Sequence, residues 1–202
     1  MKQRIPPDQK IITVSGLYSG IGKTELCQHI VSLAPGIGAI KVTINDKETA
    51  VLDDEASIMV SGKDTCRLRE SGAAKVVWVR AQEERLAEAL AEALSRVSGC
   101  SRLLIEGNSV LAHITPDIAV FVCDSRMCSD KPLKPSRVTA LRKADIIINN
   151  MRRGSDAAVE QVQGKARQIN GTAPVIAIDI TNRAETVAFL KKLFEKNGFI
   201  TP

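Results

Sequence analysis

The chain has 202 residues, 44% of them hydrophobic and 25% charged. That balance predicts one globular domain, residues 1–202, with a sizeable core, and it excludes a disordered or collagen-like chain. The net charge of +5 is unevenly placed: between Arg126 and Arg153 eight Lys/Arg stand against two acids, a net of +6. Such a stretch suits an anionic small ligand as well as nucleic acid, with a solvated basic face as the plain alternative. Aromatics are only 3%, too few for the stacking platforms of single-strand binders, so nucleic acid is not the expected partner. No apolar run approaches the ~20 residues of a membrane span. The first ten residues lack the apolar core of a signal peptide, and the five cysteines read as reduced thiols. A cytoplasmic protein without membrane contact is expected.

In chain order, strands are predicted at Lys10–Ser15, Gly38–Thr43, Ala74–Val79, Arg102–Glu106, Ile118–Cys123, Asp145–Asn149 and Pro174–Asp179. Several, such as Val120 to Cys123 and Ile146 to Ile148, are apolar throughout, as strands covered on both faces are. Helices are predicted at 23–33, 83–98, 136–143, 156–169 and 183–196. The second carries the stripe Leu86, Leu90, Ala93, Leu94 and Val97, and the last is bracketed by Asn182 and Gly198. Strand-helix alternation predicts an α/β, doubly wound, mainly parallel sheet of about seven strands. Residues 44–62 and 124–135 have weak periodicity and read as ligand loops.

The first strand runs into Gly16-Leu-Tyr-Ser-Gly-Ile-Gly-Lys-Thr24, and an amphipathic helix follows. Glycines let backbone amides converge on phosphate oxygens, and the helix N-terminus adds its dipole. Candidate nucleotide contacts are Gly16, Ser19, Gly20, Ile21, Gly22, Lys23, Thr24 and Glu25. Lys23 is placed to reach the β- and γ-phosphates, and the Thr24 hydroxyl to ligate Mg²⁺. Five residues rather than four separate Gly16 from Gly22. This longer loop resembles that of dethiobiotin synthetase and its relatives among P-loop nucleoside triphosphatases (NTPases).

Three further segments resemble two families. Ile40-Lys41 looks like a Lys-Pro of dethiobiotin synthetase and an Ile-Lys-His of the molybdopterin-guanine dinucleotide biosynthesis adaptor, the MobB type. Gly62-Lys-Asp64-Thr, with Arg and Ala following, is similar to the MobB segment. Leu103-Leu-Ile-Glu106-Gly107 resembles the Val-Glu-Gly ending the corresponding strand in both. The resemblance implies that Thr24, Asp64 and Glu106 hold the metal, and that Lys23, Lys41 and Glu106 carry the chemistry. Bland alternatives are a snorkelling strand-end lysine for Lys41 and a helix N-cap for Asp64. A buried glutamate after three apolar residues needs a partner. Asn149 and Asn150 end the sixth strand, where an Asn in the ligase group reads the adenine edge; the alternative is a buried pair serving the backbone. The Asn-Lys-x-Asp guanine signature is missing, which favours ATP, with GTP as the alternative.

The resemblance implies a Mg²⁺-dependent NTPase accessory to cofactor biosynthesis, with a partner protein or a homodimer as possible assemblies. Rival readings are a small-molecule ligase or kinase whose anionic substrate meets Arg126, Lys131, Lys134 and Arg137, and a non-enzymatic nucleotide-gated module. Cys123 and Cys128 read as a core and a loop thiol rather than a zinc site. His29 and His113 read as surface or core residues.

Overall fold

The computed structural model describes residues 9–129, 131–152 and 159–200. Its strands are β1 (Lys10–Gly16), β2 (Gly38–Ile44), β3 (Ala50–Leu52), β4 (Lys75–Ala81), β5 (Arg102–Glu106), β6 (Ile118–Cys123), β7 (Ile146–Asn150) and β8 (Val175–Ile178). They form one sheet in the order β3-β4-β2-β5-β1-β6-β7-β8. Every pairing is parallel except β3 with β4, where Val51 stands opposite Val79. The expected α/β class therefore holds, with eight strands in place of seven. The added strand is three half-buried residues at the sheet edge, too short to display the alternation by which a strand is read from sequence.

The helices are α1 (Lys23–Leu33), α2 (Glu55–Ile58), α3 (Asp64–Glu70), α4 (Leu86–Arg96), α5 (Pro135–Arg142), α6 (Val159–Ile169) and α7 (Arg183–Lys196). The helix expected at 83–98 divides: Glu83–Arg85 is a 3₁₀ turn with no buried residue, and α4 proper starts where burial starts, at Leu86. Tight 3₁₀ turns are common at helix starts that packing does not hold. Of the helix expected at 156–169, residues 156–158 lie outside the described residues. The brackets of α7 hold: the Asn182 side chain accepts from the Glu185 amide, and Gly198 follows the helix at φ 62°. α2, α3 and the 3₁₀ turn Ser125–Cys128 occupy or adjoin the segments of weak periodicity.

The sheet is packed against two hydrophobic clusters. The larger joins α1, α5, α6 and α7 to Ile12, Val14, Ala39 and Leu104. The smaller joins α4 to Ile11, Ile40, Val42, Leu103 and Ile105. Strand side chains alternate faces. Lys41 therefore shares the side of Ala39, and Glu106 the side of Leu104, both facing the α1 layer. β2 and β5 are neighbours in a register that sets Lys41 against Glu106. Two sequence positions 65 apart are thus placed side by side at the carboxyl ends of central strands. None of the described helices is long and apolar enough to cross a membrane.

Candidate functional site

β1 ends at Gly16, and the chain turns through residues 17–22 into α1. The turn is tied down from several sides. The Gly16 amide donates to Asn108 Oδ1 at 2.8 Å, and the Leu17 amide to the Val122 carbonyl at 2.9 Å. Gly22 is the helix N-cap at φ 99°, a left-handed conformation that favours glycine. A Cβ there would also lie 2.8 Å from Asn150 Nδ2. No side chain caps α1. Its first-turn amides are left for an anion, and the helix dipole adds to that preference. Lys23 Nζ donates to the Tyr18 carbonyl at 2.7 Å, which holds the ammonium folded over the loop.

Beside the loop, Lys41 Nζ sits 2.6 Å from Asp64 Oδ2 and 2.5 Å from Glu106 Oε1. Thr24 Oγ1 lies 3.4 Å from Glu106 Oε2. Glu106 is 1% exposed, so its charge depends on these partners. Asp64 is not the N-cap of α3, a place taken by Lys63; it stands in the first turn and gives its carboxylate to Lys41. Burial pulls the Lys41 pKa down, but the Glu106 charge and hydrogen bonds to Asp64 and Glu106 outweigh it and hold the ammonium above its ordinary value. Burial pushes Asp64 upward, and the Lys41 hydrogen bond and charge overcome it and leave the carboxyl below its usual value. Lys23 lacks such a contact, so burial lowers its pKa, with Glu106 only partly offsetting.

A cavity of about 300 Å³ opens between these groups. Lys23, Thr24, Lys41, Asp64 and Glu106 line it, with Ser19, Gly20, Gly22 and Glu25 along the loop side. The donor set has the chemistry of a magnesium site: a threonine hydroxyl and two carboxylates, all hard oxygens. In this state the Lys41 ammonium lies between the two carboxylates and neutralises them. The fit to a divalent cation therefore requires that ammonium to give way. No group of three or more His, Cys, Asp or Glu side chains suited to a metal occurs among the described residues.

Some expected contacts fall elsewhere. Ile21 is buried in the larger core cluster, and only its carbonyl faces polar company. Asn149 and Asn150 are 2% and 5% exposed and do not line the cavity. Asn150 Nδ2 donates to the Ile21 carbonyl at 2.9 Å, and its Oδ1 accepts from the Ile180 amide at 3.1 Å. It ties the phosphate loop to the segment after β8, the backbone-serving role that stood as the alternative to base reading. Asn150→Ala strands two buried backbone groups at about 1–3 kcal/mol each. We expect a lower melting temperature with the ATP-to-GTP preference unchanged; a changed preference at full stability would reinstate base reading.

Arg67 and Arg152 line the cavity and had no place in the expected site. Arg67 Nη2 is held by Gln28 Oε1 at 2.6 Å and Arg152 Nη2 by Glu25 Oε2 at 3.3 Å. The sequence signal for Arg67 was its place one turn after Asp64 in α3. Arg126 and Arg137 flank the Tyr18 ring at 5.2 and 5.0 Å from its centroid. Cys123 is core, its thiol pushed up to about 12 by burial, and His29 lies against the Ile180 carbonyl outside the site.

No protein-family model matches the chain, and no curated protein sequence matches it. Solved structures do. The hydrogenase maturation factor HypB from Archaeoglobus fulgidus aligns with 92% of this chain and 90% of its own, at 21% identity and a TM-score of 0.57. HypB from Helicobacter pylori, solved in complex with nickel, aligns over 94% and 87% at 13% identity, TM-score 0.58. LpxK from Aquifex aeolicus in complex with ATP aligns over 76% of this chain but 51% of its own, at 17% identity and TM-score 0.50. At these identities the likeness is one of architecture, and it shows that the chain has the fold of the P-loop NTPases.

Proposed function

We propose that this chain is a Mg²⁺-dependent nucleoside triphosphatase, accessory to the biosynthesis of a molybdopterin-type cofactor in the cytoplasm. The observation that carries the reading is the meeting of Lys23, Thr24, Lys41, Asp64 and Glu106 around one cavity at the mouth of the phosphate loop. Four sequence-distant segments converge there, and each resembles the MobB adaptor or dethiobiotin synthetase in the residues it contributes. The likeness of fold to a hydrogenase maturation factor supports a role in assembling a metal cofactor.

In this reading the uncapped first-turn amides of α1 and the Lys23 ammonium bind the β- and γ-phosphates. Thr24, Asp64 and Glu106 would hold magnesium, which supplies charge neutralisation at the phosphates. Lys41, carried on the next strand, has an ammonium already paired to two carboxylates. Once released it faces the γ-phosphate and stabilises charge on its equatorial oxygens. Glu106 orients the attacking water. ATP is favoured by the absence of the guanine signature, with GTP as the alternative.

Lys23→Ala tests the core of this. Losing a charge-assisted contact to phosphate costs about 1.5–3 kcal/mol, so nucleotide affinity by calorimetry falls at least about tenfold. The ligand-free melting temperature stays near wild type, since Lys23 meets only one carbonyl. Unaltered affinity rejects the reading. A second reading, a ligase or kinase acting on a small anion, is favoured by a further cavity beyond Lys23 and Lys41. Phosphate release that depends on an added acid, rather than proceeding without it, separates the two.

A further inference from the structure

Behind the nucleotide cavity lies a second one, of about 230 Å³. Lys23, Lys41 and Glu106 line both and form the partition between them. On its far side stand Lys134 and Arg137, so four cationic side chains face one carboxylate, and Lys41 already neutralises that carboxylate. Neither Lys134 nor Arg137 pairs with a carboxylate among the described residues; Arg137 lies only over the Tyr18 ring. Two such cations on one wall leave an unbalanced positive field aimed inward.

Three further features mark a built recess. Ser109 lines it at 9% exposure, and its hydroxyl makes no hydrogen bond with a described residue. The hydroxyl itself keeps some solvent access and is free to donate to a ligand. α5, eight residues long, starts at this wall with Lys134 as N-cap and no capping side chain; Ser136 of its first turn lines the recess. Pro135 has no N–H and the Arg137 amide is bonded to the Lys134 carbonyl, so the Ser136 amide is the first-turn donor left for an anion, with the helix dipole beside it. The remaining wall is apolar, made by Val42 and Ile44, the latter 38% exposed. An oxyanion therefore has charge and donors on one side and an apolar surface for its carbon body on the other.

We propose that this recess binds a second ligand: a small molecule with an anionic head, carboxylate or phosphate ester, and a short apolar body. It would lie against Lys23 and Lys41, across the partition from the terminal phosphate. The proposal rests on the nucleotide-binding reading for the significance of that position, though not for the recess itself.

The test uses the full chain saturated with Mg²⁺ and a non-hydrolysable ATP analogue, so that the phosphate loop is filled. Hexanoate and hexyl phosphate, which share a tail and differ in head group, are titrated by calorimetry or NMR. Binding of at least one is expected, and comparison of the two identifies the preferred head. Lys134→Ala with Arg137→Ala weakens it at least about tenfold, and Ser109→Val, which removes the hydroxyl donor and narrows the recess, does the same. Nucleotide affinity stays within about twofold in both variants. Failure of both probes to bind, or equal binding by wild type and both variants, overturns the proposal. A chain that binds no nucleotide yet binds a probe in a Lys134- and Arg137-dependent way overturns the NTPase reading instead and leaves this one standing.

Discussion

Replacing Glu106 with Gln lowers nucleoside triphosphate turnover by at least about 100-fold, while nucleotide affinity changes by less than about tenfold. The amide keeps the shape of the side chain and much of its hydrogen bonding. It removes the charge that would matter most as the γ-phosphoryl group transfers. Steady-state phosphate release beside calorimetric affinity checks both halves. The structure adds a consequence invisible in the sequence. Glu106 is one of two carboxylates on Lys41, so the ligand-free protein also loses stability, though less than if the ammonium were left with no partner. A lowered melting temperature with wild-type turnover would reduce Glu106 to a structural counter-ion.

Lys41→Met produces the larger loss of stability. It leaves Glu106 buried at 1% exposure without its cation, and uncompensated buried charges of this kind cost about 3–5 kcal/mol. The ligand-free melting temperature falls by several degrees or more, and adding Glu106→Gln to the same chain recovers most of the fall. If Thr24, Asp64 and Glu106 hold magnesium, Mg²⁺ competes with the Lys41 ammonium in the wild type and finds the carboxylates vacant in the variant. Magnesium chloride should therefore raise the melting temperature of Lys41→Met more than that of wild type. Equal shifts in the two proteins would separate the carboxylates from the metal.

Most of the α/β layering was legible because it is written in local patterns. β5 and β6 stand at the expected boundaries, Arg102–Glu106 and Ile118–Cys123, since their apolar runs are short, continuous and bounded. The phosphate loop was legible because its glycines and Gly-Lys-Thr have to be contiguous. What escaped was short or non-local. β3 has three residues. Arg152 reaches the cavity from just beyond β7, with no spacing to announce it. Asn150 was placed correctly at its strand end, but its task depends on which loops lie above it. Those turned out to be Ile21 and Ile180.

By itself the sequence determined that a parallel sheet would form, that its first strand would open through a glycine-rich turn into a helix, and that a lysine, an aspartate and a glutamate would stand near strand or helix ends. Period-two and period-3.6 patterns act over a few residues and carry that much. Only the tertiary structure decided that Lys41 and Glu106 are register partners on one face, that Asp64 joins them, and that Lys134 and Arg137 close a second recess behind them. Those neighbours are chosen by strand order, β2 beside β5 beside β1. Strand order depends on how all the crossovers bury their faces together, and no window of sequence contains that sum.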